Sequence, residues 1–158
     1  MTWNTAPKYL RAHLITQCRT AEVATQAGIP ALTWASLTSP RVFNESDRGW
    51  LAACRLPCVT VMIGDMPFAP ESRDGGTLTL EATISVHCGS ASSTHRDEQC
   101  EAIMMACLAS IRNEANGYDI LGSSDVELAG VNPMWSTLSV TCEFELSYDR
   151  TNFSLEDI

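Results

Sequence analysis

Two stretches of this chain alternate strictly between apolar and polar residues. In the first, Leu78, Leu80, Ala82, Ile84, Val86 and Cys88 interleave with Thr79, Glu81, Thr83, Ser85 and His87. In the second, Leu138, Val140, Cys142, Phe144 and Leu146 interleave with Thr137, Ser139, Thr141, Glu143, Glu145 and Ser147. A period of two sends alternate side chains to opposite faces of a sheet, so each stretch predicts a long strand with one apolar face and one wet or shared face. Between them Cys100, Ile103, Met104, Cys107, Leu108 and Ile111 recur at spacings of three and four, the stripe of an amphipathic helix. One helix is expected to cover both strands. Thr94 with Asp97 three positions on predicts a capping box at its start. Arg112 and the pair Asn116-Gly117 mark its end.

The remaining elements are less periodic. Residues 5–27 read as a helix, with Leu10, His13, Leu14 and Cys18 on one face, Thr5 or Asn4 as cap, Pro7 tolerated in the first turn, and Gly28 with Pro30 as the stop. Residues 29–39 carry connection signals. Arg41, Val42 and Phe43 form a short extended candidate, followed by the polar turn 44–47. Residues 50–55 are ambiguous and could form a helical turn. Residues 58–63, Cys-Val-Thr-Val-Met-Ile, are β-branched and nearly continuous in hydrophobicity, as in a strand covered on both faces. Residues 64–76 hold Pro67, Pro70 and the turn signal Asp74-Gly75-Gly76, too long for a tight hairpin; they predict an extended tip projecting from the body. Residues 123–133 read as a polar connection with a short extended piece at 126–128. Residues after Tyr148 lack periodicity and are expected to form a tail. Two strands and a helix bury too little apolar surface to offset their own ordering, so the first helix and the strand at 58–63 must complete the core.

Length narrows this to one domain, since 158 residues suit a single core of ordinary size. A helix at 5–27, a core at 41–148 and a tail at 149–158 are expected within it. Apolar runs such as 103–109 fall far short of the ~20 residues that a bilayer demands. The first residues lack the basic start and apolar region of a secretory signal, which predicts folding in a cytoplasm. Seven cysteines occur. Cys88, Cys100, Cys107 and Cys142 fall on apolar faces, where a thiol packs as a small hydrophobe, and disulfides are not expected in a reducing compartment.

Charge adds an asymmetry. The net charge is −9, yet through Thr60 six basic residues face three acidic ones, and beyond it four face sixteen. Solubility alone requires some net charge. A basic segment followed by an acidic one also fits a subunit that packs against a complementary surface, another copy of itself included. Overall acidity argues against a grip on a nucleic-acid backbone.

Candidate chemistry is sparse. No Gly-rich phosphate loop, Gly-x-Ser-x-Gly elbow or His-Glu-x-x-His helix occurs. Cys54 and Cys58 with His87 and Cys88 could gather soft ligands for zinc, but the spacing is loose and Pro57 intervenes. His95, beside Arg96, Asp97 and Glu98, sits where capping alone explains a polar cluster. Glu81, Glu143 and Glu145 lie on polar strand faces, where they face solvent or, if subunits closed a ring, a lumen. No catalytic residue, cofactor or metal is expected.

The order helix, short strand, turn, Leu-Pro-led strand at 56–63, acidic Pro-containing loop, long strand, helix and long strand resembles the tail terminator (minor tail protein) family of long-tailed bacteriophages. The pieces that carry it are Arg41-Val42-Phe43 with its polar sequel, Leu80-Glu81-Ala82-Thr83-Ile84-Ser85-Val86 before the helix at 97–111, and Ser139-Val140-Thr141-Cys142-Glu143-Phe144-Glu145-Leu146. It covers most of residues 42–148; residues 29–40 and the tail from Thr151 depart from the pattern. The resemblance implies an α+β subunit with two main helices on a mixed, mainly antiparallel sheet and a long projecting hairpin loop. It further implies a structural, non-enzymatic virion protein of the tail and neck, assembled in a host cytoplasm. Such subunits form a ring, six-membered in similar proteins, that caps the tail tube and offers a surface to the head connector or neck protein. DNA only passes through the lumen, and no membrane is involved. Expected interface residues are Asp65, Met66, Pro67, Phe68, Glu71, Arg73 and Asp74 of the loop, Arg41 and Arg48 of the basic segment, and Glu143 and Glu145 of the last strand. Another neck, tail-completion or tail-tube subunit of the same small fold is the alternative, and a small thiol- or metal-dependent enzyme a further one.

Overall fold

A computed structural model describes residues 3–28, 41–44, 57–65, 74–89, 93–113, 118–132 and 135–149. A single 3-10 turn, Trp3–Thr5, leads into helix α1, Ala6–Gly28. Strands β1, Arg41–Asn44, and β2, Cys58–Ile63, follow. Then come β3, Gly76–Gly89, helix α2, Ser93–Asn113, and the long strands β4, Tyr118–Asn132, and β5, Trp135–Tyr148. The class is α+β, with two α-helices and a mainly antiparallel sheet among the described residues.

The strands form one sheet in the order β1-β2-β3-β5-β4. β1 runs parallel to β2, and the other three pairings are antiparallel. The strictly alternating stretches are its centre: β3 pairs with β5 over its whole length, from Gly76 opposite Tyr148 to Gly89 opposite Trp135. Leu78 therefore opposes Leu146, Leu80 opposes Phe144 and Ile84 opposes Val140, which merges the two apolar faces into one. α2 lies on this face, over β3 and β5, while α1 packs beside it on β1 and β2 and against α2.

The core between helices and sheet holds Leu10, Leu14 and Cys18 of α1, Val59 and Val61 of β2, the apolar sets of β3 and β5, and Cys100, Ile103, Met104, Cys107 and Ile111 of α2. α1 and β2 thus complete what two strands and one helix cannot bury alone. At the hairpin end, Gly75 has φ +127°, and a Cβ there would lie 2.9 Å from the Tyr148 carbonyl oxygen. Only glycine satisfies both the backbone angle and the close approach of β5.

Three expectations need correction. Residues 118–132 form a strand paired along β5, not a loop with a short extended piece. The register of β4 slips between Ile120 and Gly122, Ser124 and Val126, and Gly130 and Asn132, and such bulges break the period of two that betrays a strand. Helix α2 already includes Ser93, and no acid lies in its first turn, so Thr94 is inside the helix and does not cap it. Strand β2 is buried on both faces only from Cys58 to Val61; Met62 is exposed and Ile63 half-buried. The expected turn at 44–47 and the segments at 29–39 and 50–55 lie wholly or mostly outside the described residues, as does the tail after Asp149. Among the described residues no helix is long and apolar enough to cross a membrane.

Candidate functional site

Both helices sit on one face of the sheet, so the positions with the opposite parity in β2, β3 and β5 build a second face of different chemistry. Register aligns them in rows across the strands: Cys58, His87 and Thr137; Thr60, Ser85 and Ser139; Met62, Thr83 and Thr141; then Glu81 beside Glu143, Thr79 beside Glu145, and Thr77 beside Ser147. The face changes character along its length. Thr60, Ser85, His87 and Thr137 are buried, whereas Thr77, Thr79, Glu81, Glu143 and Ser147 are exposed.

The buried half satisfies its polar atoms across strands. His87 Nε2 lies 3.0 Å from Thr60 Oγ1 and His87 Nδ1 lies 2.9 Å from Thr137 Oγ1, a chain that joins β2, β3 and β5. With a neutral ring, one hydroxyl donates to the bare nitrogen and the other accepts from the N–H. Below it, Ser85 Oγ meets Ser139 Oγ at 2.8 Å and Thr83 Oγ1 meets Thr141 Oγ1 at 2.9 Å. Burial pushes the His87 pKa down to about 4, so the imidazole is neutral at physiological pH.

The exposed half is acidic. Glu81 and Glu143 occupy directly opposed positions, an arrangement in which like charges repel and cost a few tenths of a kcal/mol or more. Glu145 is half-buried one row on. Gly64 continues the hairpin pairing past Ile63, donating its backbone N–H to the Glu81 carbonyl at 2.8 Å. Asp65 and Asp74, exposed, stand at the two ends of the connection between β2 and β3.

Of the expected interface residues, the structure therefore gathers Glu143 and Glu145 on this face, with Asp65 and Asp74 at the hairpin end. Arg41 opens β1, at the sheet edge, in register with Cys58. Met66, Pro67, Phe68, Glu71, Arg73 and Arg48 lie outside the described residues. Glu81 belongs with the acidic group on the same terms as Glu143; only its register partner, which a single strand pattern does not give, singles it out.

The candidates for chemistry are dispersed. Cys58 is disulfide-bonded, which corrects the expectation of thiols only. The other five described cysteines, Cys18, Cys88, Cys100, Cys107 and Cys142, are free and buried, so its partner lies outside the described residues. A disulfide sulfur is not a thiolate, which removes Cys58 as a zinc donor. Cys88 faces the helices and His87 the opposite side, so these neighbours cannot share a ligand. Among the described residues no group of three or more His, Cys, Asp or Glu could hold a metal ion. His13 is half-buried and stacks on Tyr9, ring centroids 6.0 Å apart, and His95 lies within α2. Buried Arg96 donates from Nε to Ser136 Oγ at 3.1 Å and ties the start of α2 to β5.

No family model matches the chain, and no curated protein matches it. Among solved structures it is similar to a crystal structure of a protein from Akkermansia muciniphila, at 12% identity and a TM-score of 0.34, over 96% of this chain and 80% of that one. A likeness of that size carries no argument about fold or function.

Proposed function

We propose that this chain is a structural subunit that closes into a ring, caps the tail tube of a long-tailed bacteriophage, ends tube polymerisation and offers a surface to the head connector. The observation that carries the reading is the layering of the sheet. Helices cover one face, and the other presents an acidic half built on Glu81, Glu143 and Glu145. An acidic, hydroxyl-rich face turned toward a lumen repels phosphate, so DNA passes without being held.

The sheet also ends in two unlike edges, β1 and β4. A ring repeats one heterologous contact until it closes, which needs two different surfaces on each subunit. β1 belongs to the basic first part of the chain, whereas β4 carries Asp119, Asp125 and Glu127 in the acidic remainder. Opposite charge on opposite edges favours head-to-tail association over face-to-face pairing. The connection between β2 and β3, from Asp65 to Asp74 with Met66, Pro67, Phe68, Glu71 and Arg73, is the segment assigned to contact with the tube. Arg41 and Arg48 serve the subunit contact. On this reading the chain performs no catalysis, binds no cofactor, and resides in the virion neck after assembly in the host cytoplasm. The ring is six-membered, as the sequence resemblance implies.

Assembly state tests the proposal. Particle mass and symmetry, read with and without tail tubes, should give a closed ring that seats on tube ends. A tail-tube subunit of similar fold would instead polymerise into open filaments.

A further inference from the structure

The second face of the sheet is buried at one end although both described helices lie on the other face. In the row at the start of β2, exposure is 0% at Cys58, 4% at His87 and 9% at Thr137. In the next row it is 0% at Thr60 and 3% at Ser85, and Ser139 is half-buried. In the third row Met62 reaches 42%. Exposure thus rises from β2 toward β5 and from the start of β2 toward its end, which centres the cover on Cys58 and Thr60. Helices α1 and α2 pack on the opposite face and do not supply it.

Topology indicates what does. Strands β1 and β2 are neighbours and run parallel, with Arg41 opposite Cys58 and Asn44 opposite Val61. A chain that leaves β1 at Asn44 must therefore return along the sheet before it enters β2 at Cys58. No hairpin makes that connection; it takes about a dozen residues or more and crosses over one face of the sheet. Residues 45–57 separate the two strands, a span of that size. On the helical side α1 already packs on both β1 and β2, which leaves the second face for the crossover. The segment contains Trp50, Leu51, Ala52, Ala53 and Leu56, apolar surface suited to exclude water from hydroxyls and an imidazole that already bond one another.

The cysteines lead to the same segment. The chain has seven. Cys18, Cys88, Cys100, Cys107 and Cys142 are free, and Cys58 is disulfide-bonded. Cys54 alone remains as its partner within the chain, and it belongs to residues 45–57. We propose that residues 45–57 cross the second face of the sheet, cover Cys58, Thr60, Ser85 and His87, and are fastened there by a disulfide between Cys54 and Cys58. The chain then occupies one half of this face itself, and only the acidic half, with Glu81, Glu143 and Glu145, is open to a partner. This arrangement holds whether or not the subunit joins a ring.

The test uses the full-length chain purified without reductant. Free thiols are alkylated in denaturant, and trypsin then cuts after Arg48, Arg55 and Arg73, which places the two cysteines on separate peptides, 49–55 and 56–73. Expected in mass spectrometry are these two peptides joined, with alkyl groups on the other five cysteines. Dithiothreitol should part them, passing two electrons and two protons to the cysteines as it closes to its own cyclic disulfide. On the folded chain, nuclear Overhauser contacts are expected from the Trp50 or Leu51 side chain to the Thr60 methyl group and the His87 ring, and W50A should lose those that Trp50 makes. Cys58 joined to any other cysteine, or Cys54 and Cys58 both alkylated, would overturn the disulfide. Contacts to Thr60 and His87 from residues 29–40, from the tail after Asp149 or from a second copy, in place of residues 45–57, would overturn the crossover.

Discussion

His87 shows how a residue that resembles a catalytic or metal-binding group can be structural. Its two ring nitrogens are occupied by Thr60 and Thr137 from the strands on either side, and Cys58 opposite it is bonded elsewhere. The consequence is a pH dependence with a definite sign. The folded pKa of about 4 lies below the ordinary value of 6.5. Between those values the unfolded chain binds the proton and the folded one does not, so stability falls as pH drops from 6.5 toward 4 and is constant above 6.5 with respect to this group. The shift corresponds to roughly 3 kcal/mol at most. Urea denaturation of the wild type and H87N at pH 7.5 and pH 4.5 checks it: the wild type should lose about 2–3 kcal/mol more than the variant over that interval. An equal loss in both would assign the acid sensitivity to the carboxylates instead. The pattern of alternation alone puts His87 on the polar strand face; that this half of the face is buried depends on packing no local pattern records.

At the scale of elements, β3, β5 and α2 were legible because their periods run unbroken over many residues. Each apolar position of β3 from Leu78 to Val86 faces another in β5, and the stripe of α2 lies on both. β4 was illegible for a specific reason. Tyr118, Ile120, Ser123, Val126 and Leu128 all stand opposite apolar-face positions of β5, yet their spacing in sequence is two, three, three and two. Each bulge inserts a residue, so these positions keep their register with β5 but lose their period in the chain. The disulfide at Cys58 was equally invisible, since spacing among seven cysteines does not state which meet. The proposal assigns contact with the tube to the segment between β2 and β3. Among the described residues, the pairing of Gly64 with Glu81 holds the end of the β2–β3 ladder. Deleting residues 65–74 should leave the circular dichroism spectrum and cooperative unfolding in place while weakening contact with tail tubes. Loss of the fold, or unchanged docking, would contradict a projecting contact loop.

At the scale of the molecule, the acidic face and the two sheet edges are the surfaces on which the proposed ring rests. Glu81 and Glu143 oppose each other at a cost to the isolated chain, so replacing one should help folding and harm passage of DNA. E143K converts the repulsion to attraction and is expected to stabilise the monomer by about 0.5–1 kcal/mol. The same change should make assembled rings retain DNA at low salt and release it as salt rises. A variant that is no more stable, and whose rings ignore DNA as the wild type does, would remove these glutamates from any lumen. The candidate site was only partly legible: Glu143 and Glu145 were found from alternation, whereas the pairing with Glu81 appeared once register was known.

The most direct test of the central claim is to add the purified chain to tail-tube protein during polymerisation and to image the products by electron microscopy, with particle mass measured alongside. A terminator predicts shorter tubes as its concentration rises, each with a single closed ring at one end, and a ring of fixed symmetry as the largest species formed by the chain alone. Tubes of unchanged length with no ring at their ends, or open filaments built from this chain, would contradict it.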